Sequence, residues 1–202
     1  MSVTKSIVSV RDQIAHQLRA DIINGTLTEH TKLKEQALAE RFGVSRGPIR
    51  DVLLQLSNDG LLVSKNNCGV SVNTAPDTSL QPLMINIRVD IESFSIKKVV
   101  ETLDKNDFQY LEGLLLNLQK AFTEEDYAAV TDLDINFHRF FVYKAGGEDL
   151  VNLWLPFIYR MRMNYTRLGT AEACLDEHKC ILEAIKNKDS KAAIKALKAN
   201  IK

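Results

Sequence analysis

The stretch from Lys34 to Asn58 constrains this chain more than any other. Two helical patterns, about Lys34–Phe42 and Ser45–Asn58, are separated only by Gly43 and Val44. A glycine there suits the left-handed residue that ends a helix, and Ser45 suits the N-cap of the next. Pro48 falls in the first turn of the second pattern, where its missing N–H costs nothing. Upstream, Val10, Ile14, Leu18 and Ile22 recur every four residues behind Ser9 as an N-cap, with Gly25 as the stop. Helix, short helix, glycine turn and helix is the helix-turn-helix pattern. Past Gly60 the period changes. Leu61–Lys65 and Val70–Val72 flank Asn66-Asn67-Cys68-Gly69, which reads as a β-hairpin in the position of a wing.

Residues 73–82 hold two prolines and small polar residues with no apolar period, the composition of a linker. Everything beyond reads as helix. Leu83, Ile87, Ile91 and Phe94 form one stripe, and Phe108, Leu111, Leu115, Leu118 and Phe122 a second. Val130, Phe137 and Phe141 form a third that Gly146-Gly147 interrupts, and Leu150 to about Arg167 continues with Pro156 as a kink. His178, Ile181, Leu182 and Ile185 share a face, as do Ala193, Leu197 and Ile201 on a last helix capped by Asp189. Six helices with one apolar side each must pack together. The expected fold is mainly α: a winged helix-turn-helix over residues 1–74, a linker over 75–82, and an antiparallel six-helix bundle over 83–202.

Composition narrows the setting. At 202 residues the chain suits two small domains. Neither a secretory signal nor an apolar run of membrane-spanning length is present in the sequence. Cys68, Cys174 and Cys180 form no metal-type or redox-type pair, which suits reduced thiols in the cytoplasm. Basic and acidic residues balance at 26 each, so charge alone does not point to nucleic acid. The first 75 residues carry nine basic and seven acidic side chains, a weak excess that leaves the argument to placement.

Placement is informative in the third helix. Ile49, Leu53 and Leu56 lie at i, i+4 and i+7 and form its inward face. Arg46 and Arg50, one turn apart, project together from another face near the N-terminus, with Gly47 between them allowing close approach. Two guanidiniums at that end of a helix match a guanine edge or backbone phosphates, and the helix N-terminus itself favours a phosphate. Double-stranded DNA is the partner this arrangement fits.

The run LKEQALAERFGVSRGPIRDVLLQLSNDGLL, followed by a short hairpin with Gly69, resembles the DNA-binding domain of the GntR family of bacterial regulators. Leu33, Glu35, Leu38, Ala39, Gly43, Val44, Ser45, Arg46, Pro48, Arg50, Leu53, Leu56 and Gly60 stand where that family's pattern puts them. The resemblance implies that Ser45, Arg46, Gly47 and Arg50 contact the operator and that Asn66 and Asn67 reach the minor groove from the wing tip. Gln36 occupies a position where relatives carry a phosphate-contacting arginine. The resemblance also implies a homodimer on an inverted repeat.

Asp134 and His138, at i and i+4, share the face that carries Phe141, and His178 lies on the Ile181/Leu182/Ile185 stripe. A carboxylate and two imidazoles aimed at one bundle interior can bind Zn²⁺, Ni²⁺ or Mn²⁺; the other account is a pair of core histidines satisfied by hydrogen bonds. The region resembles the helical (FCD-like) effector domain of the FadR-type subfamily through Arg88-x-x-x-Glu92, Asp134-x-x-Phe137-His138 and Glu177-His178 leading into Ile181-Leu182-Glu183-Ala184-Ile185. In metal-binding relatives an aspartate and three histidines are the ligands and a small carboxylate effector completes the sphere. Asp134, His138 and His178 match; Asn200 stands where the last histidine falls, and an amide is a poor transition-metal ligand. Other members use the same pocket without metal. The effector-binding set so implied is Arg88, Asp134, His138, His178 and Asn200, with Arg88 as carboxylate anchor or, alternatively, as a surface i,i+4 partner of Glu92. Arg160 and Tyr165 are weaker pocket candidates. An aspartate, two histidines and an open position also resemble a metal-dependent hydrolase. Yet no general base or oxyanion donor accompanies them, and an enzyme would leave the DNA reader unexplained. The expectation is a regulator responding to a small organic acid, not an enzyme.

Overall fold

In the computed structural model, residues 9–65, 69–163 and 170–201 are described. The chain forms two compact units, with the boundary along the sequence between Pro76 and Asp77. The wing tip, with Asn66 and Asn67, and the segment holding Tyr165 lie outside the described residues.

In the first unit, α1 (Val10–Ile23) begins at Ser9, whose side chain accepts from the Asp12 N–H. Helices α2 (Glu35–Phe42) and α3 (Arg46–Asn58) follow, and Gly43 ends α2 at φ 65°, a conformation open to glycine at little cost. Helix α3 packs on both α1 and α2. Its Ile49, Val52, Leu53 and Leu56 are buried, as are Ile14, Ala15, Leu18 and Ile22 of α1. Two ion pairs brace this scaffold: Arg41–Asp21 at 2.8 Å and Arg19–Asp59 at 3.0 Å. The hairpin strands β2 (Leu62–Lys65) and β3 (Gly69–Val72) pair antiparallel, Leu62 opposite Val72 and Lys65 opposite Gly69. A two-residue strand, β1 (Lys32–Leu33), adds to the other side of β3. The sequence reading missed β1, because two residues are too short to show a period of two.

The second unit is all helix. The segment expected as linker is partly structured: Thr78–Leu80 form a 3₁₀ turn and α4 (Gln81–Val99) starts with Pro82 in its first turn. Helix α5 (Lys105–Thr123) opens with a reciprocal capping box between Asp104 and Asp107. A long element, α6 (Tyr127–Arg162), is interrupted at Gly147, so α6 supplies two helical segments. Helices α7 (Ala171–Lys186) and α8 (Ser190–Asn200) complete the expected six, α8 capped by Asp189. The core joins Leu111, Leu115 and Leu118 of α5, Phe137 and Phe141 of α6, Ile181 and Ile185 of α7, and Leu197 of α8.

One stripe is reversed. Leu83, Ile87 and Phe94 were expected inside, yet Leu83 is 56% and Phe94 54% exposed. The buried face of α4 carries Met84, Arg88, Glu92, Ser95, Ile96 and Val99 instead. Arg88 and Glu92 neutralise each other across one turn and find further partners inside, so a polar face enters the bundle and the apolar one turns outward.

The break in α6 lies at the glycine pair. Gly147 has φ 62° and ψ −156°, a region essentially closed to other residues, and a Cβ on Gly146 would sit 2.5 Å from Leu150 Cβ. Pro156, expected to kink the helix, lies in helical backbone; non-helical dihedrals in α6 occur at Gly147. Gly147→Ala is expected to destabilise the protein by about 1–3 kcal/mol, read from chemical denaturation. An unchanged midpoint would show that the break tolerates a side chain.

Candidate functional site

Two groups of side chains stand out, one on the surface of the first unit and one buried in the second. On the first, Ser45, Arg46, Gly47 and Arg50 are all exposed around the start of α3, with Gln36 exposed nearby on α2. Ser45 makes no side-chain capping hydrogen bond, so the first turn of α3 presents backbone N–H groups outward. A shallow concavity between Gln36, Gly43, Ser45 and Arg46 adjoins that end. Arg50 Nε donates to Glu35 Oε2 at 2.8 Å, an exposed pair that a phosphate or a base edge can displace at little cost. Gln36 donates to Glu40 at 2.8 Å. Gly47 has no steric reason within the fold, since an added Cβ would meet nothing closer than Ser45 Oγ at 4.0 Å.

In the second unit the fold brings Asp134 and His138 of α6 together with His178 of α7. One ligand-type atom from each lies within 4.8 Å of the others, and all three residues are buried. The surroundings orient both rings. His138 Nδ1 is 2.7 Å from Glu92 Oε2, and His178 Nδ1 is 2.7 Å from the Cys174 carbonyl oxygen. A carbonyl can only accept, so His178 Nδ1 carries the proton in that bond, and an ionised Glu92 imposes the same on His138. The Nε2 atoms of both rings are buried without a hydrogen-bond partner among the described residues. His178 Nε2 lies 3.2 Å from Asp134 Oδ1, close enough for charge attraction but not aligned as a hydrogen bond. Phe137 stacks edge-on against both imidazoles, with centroids 4.9 Å from His178 and 5.6 Å from His138.

Glu92 is the hub. Its Oε1 accepts from Arg88 Nε at 2.8 Å and from Trp154 Nε1 at 3.0 Å, while Oε2 meets His138. Burial pushes its carboxyl upward more than any other single influence, yet Arg88 and His138 together outweigh that and hold it down at about 2. His138 is lowered, first by its own burial, which the charge of Glu92 only partly offsets. His178 is raised to about 10: burial opposes its charge, but Asp134 first and Cys174 second override it.

Arg88 therefore does pair with Glu92, but in the interior rather than on the surface. Asn200 comes to the Nδ1 side of His178: its amide nitrogen lies 3.5 Å from that atom and donates to Glu177 at 3.3 Å. The sequence reading had no role for Trp154, and took Glu92 only as a partner of Arg88. The one tryptophan of the chain, in a helix otherwise facing an apolar core, was the available signal, because a buried indole N–H needs an acceptor.

These residues can hold a divalent metal. One carboxylate and two imidazoles converge, the rings are fixed through Nδ1 by a carboxylate and a carbonyl, and both remaining nitrogens lack hydrogen-bond partners.

Residues 10–72 match the family described as bacterial regulatory proteins, gntR family, and residues 83–202 match the FCD domain. The chain is 32% identical over 188 residues to an uncharacterised HTH-type transcriptional regulator, YdhC of Bacillus subtilis, covering 90% of this chain and 83% of that one. It is 26% identical to the HTH-type transcriptional repressor RspR of Escherichia coli, covering 93% and 84%. The fold is similar to that of E. coli McbR/YncC, with a TM-score of 0.77 at 23% identity over 96% of this chain and 94% of that one.

The depressed carboxyl of Glu92 has a consequence for acid stability. A group lowered on folding contributes stability above its unfolded value, near 4.5, that is lost as pH falls toward about 2. Glu92→Gln is expected to be less stable than wild type at pH 7, with the gap narrowing as pH drops from 5 to 3. Parallel melting curves across that range would rule out an ionised Glu92 as a stabilising group.

Proposed function

This chain belongs to the GntR family of DNA-binding transcriptional regulators and carries an FCD effector-binding domain, and we propose that it reads an inverted-repeat operator as a homodimer under control of a small carboxylate effector that binds beside a divalent metal. The family is one of regulators rather than enzymes. No helix among the described residues is long and apolar enough to cross a membrane.

The observation that carries the sensing half is the pair of buried imidazoles whose Nδ1 atoms are tied down and whose Nε2 atoms have no hydrogen-bond partner beside Asp134. Asp134, His138 and His178 would hold the metal. Bound there, it would act as a Lewis acid with positions left open for an effector carboxylate. Arg88, buried on α4, supplies the cation for that carboxylate. His178 would give up its Nε2 proton, which the nearby charge of Asp134 favours, to become a ligand, so affinity for Zn²⁺ rises with pH below about 10.

A metal-independent sensor is the second reading. It is favoured by the ion pair of His178 with Asp134 and by Asn200, whose amide is already engaged by Glu177. Calorimetry with Zn²⁺ separates the two. Metal binding is expected in wild type, lost in His178→Ala and little changed in Asn200→His, because residue 200 lies on the Nδ1 side of His178, away from the Nε2 atoms that would meet the ion. Absence of binding in wild type and in Asn200→His would establish the metal-free reading.

For DNA, the exposed arginines at the start of α3 are the contacts. Arg46→Ala and Arg50→Ala should each weaken operator binding by about 1–3 kcal/mol with helicity intact, because neither side chain belongs to the core. Unchanged affinity in both would remove α3 as the reading helix.

The outward stripe of α4, with Leu83, Ile87 and Phe94 and with Leu80 just before it, is the surface for the second copy; a large apolar face on one helix is costly in water. Ile87→Asp combined with Phe94→Asp is expected to give monomers by light scattering at unchanged helicity. A persistent dimer would move the interface elsewhere.

A further inference from the structure

Glu92 does more than brace α4. Its two oxygens serve different clients: Oε1 holds Arg88 and Trp154, and Oε2 holds His138. In the reading above, Arg88 awaits an effector carboxylate and His138 a metal ion. We infer that Glu92 is the positioning residue that couples the two, so that anything drawing it toward His138 loosens Arg88 and Trp154, and the reverse. The inference rests on the metal-and-carboxylate reading and adds the connection within it.

The physical basis is competition for one buried charge. With its side chain 2% exposed, Glu92 is cut off from bulk solvent, so each hydrogen bond it makes depends on the others. A cation on His138 Nε2 makes the Nδ1–H more acidic and strengthens its bond to Oε2. Charge then shifts away from Oε1, where Arg88 and the Trp154 indole are held. Conversely, a carboxylate that neutralises Arg88 leaves Glu92 more basic, which makes His138 a better ligand. The coupling is therefore positive and reciprocal. It also reaches across the break in α6, because His138 lies before Gly147 and Trp154 after it. Arg88 and Trp154 are thereby told of an event at His138 without touching the ion.

Trp154 is the sole tryptophan, so the chain's indole emission comes from the ring that is bonded to Oε1. The experiment uses the full chain with Zn²⁺ as the probe, in wild type, Glu92→Gln, Arg88→Gln and the double variant, each checked for folding by circular dichroism. In wild type, Zn²⁺ should shift Trp154 emission. Glu92→Gln, which keeps the shape but not the charge, should weaken Zn²⁺ binding about 10- to 100-fold and abolish the emission shift. Arg88→Gln should tighten Zn²⁺ binding. Removing a nearby cation tightens it by simple repulsion in any background, so the decisive quantity is the difference: tightening should shrink severalfold when Glu92 is already Gln. Zn²⁺ binding that is indifferent to Glu92→Gln overturns the coupling and leaves the metal site standing, as does an equal effect of Arg88→Gln in both backgrounds. Should Glu92→Gln not fold, an emission shift that is the same in wild type and Arg88→Gln overturns it. No Zn²⁺ binding by wild type overturns both.

Discussion

A carboxylate in a bundle interior dictates the helices around it. Glu92 needs a cation and hydrogen-bond donors at distances where they neutralise it, and three come from separate places: Arg88 one turn back on α4, His138 in the first segment of α6, and Trp154 in the second. That requirement sets the rotation of α4 about its axis. With Arg88 and Glu92 inward, Leu83, Ile87 and Phe94 must point outward, whatever their hydrophobicity would prefer in isolation. The exposed stripe is thus a product of the buried ion network, and the face proposed for a second copy follows from the same constraint that builds the proposed sensing cluster.

That is also why sequence reading succeeded in one place and failed in the other. The helices of the first unit are specified locally: Ser9, Gly43 and Pro48 mark ends, and Ile49, Leu53 and Leu56 mark a face, so the elements could be placed to within a residue or two. In the second unit the Asp189 cap and the glycine break were equally legible, whereas the start of α4 was hidden inside the segment read as linker. The orientation of α4 was not. Periodicity assumes that apolar residues face inward, and a buried Arg-Glu pair with two further partners over 40 positions away in sequence breaks that assumption. The convergence of Asp134, His138 and His178 was readable because i,i+4 spacing and a shared apolar stripe fix their faces. The tilt of each ring was not readable, since it depends on Glu92 and on a backbone carbonyl of Cys174 that carries no sequence signal.

Asn200 illustrates how far a pattern extends. Its position was expected near the cluster, and the fold does bring it to His178, but to the Nδ1 side and in a hydrogen bond with Glu177. An amide there can tune the ring that Asp134 holds from the other side without being a ligand itself. Proximity and coordination are separate properties, and only the first is fixed by the backbone.

The two units make contrasting use of charge. At the start of α3, Arg46 and Arg50 stand in water, Arg50 in an exposed pair with Glu35, and nothing in the fold needs them there. Gly47 likewise fills no steric need of the unit. Such groups cost the protein little and are free to meet a polyanion, with an affinity that salt screens strongly. In the second unit, Arg88, Glu92, Asp134, His138 and His178 are all buried, so salt barely reaches them and their energies depend on short contacts. Exposed charge suits reading a long anionic surface; buried charge suits detecting one small molecule.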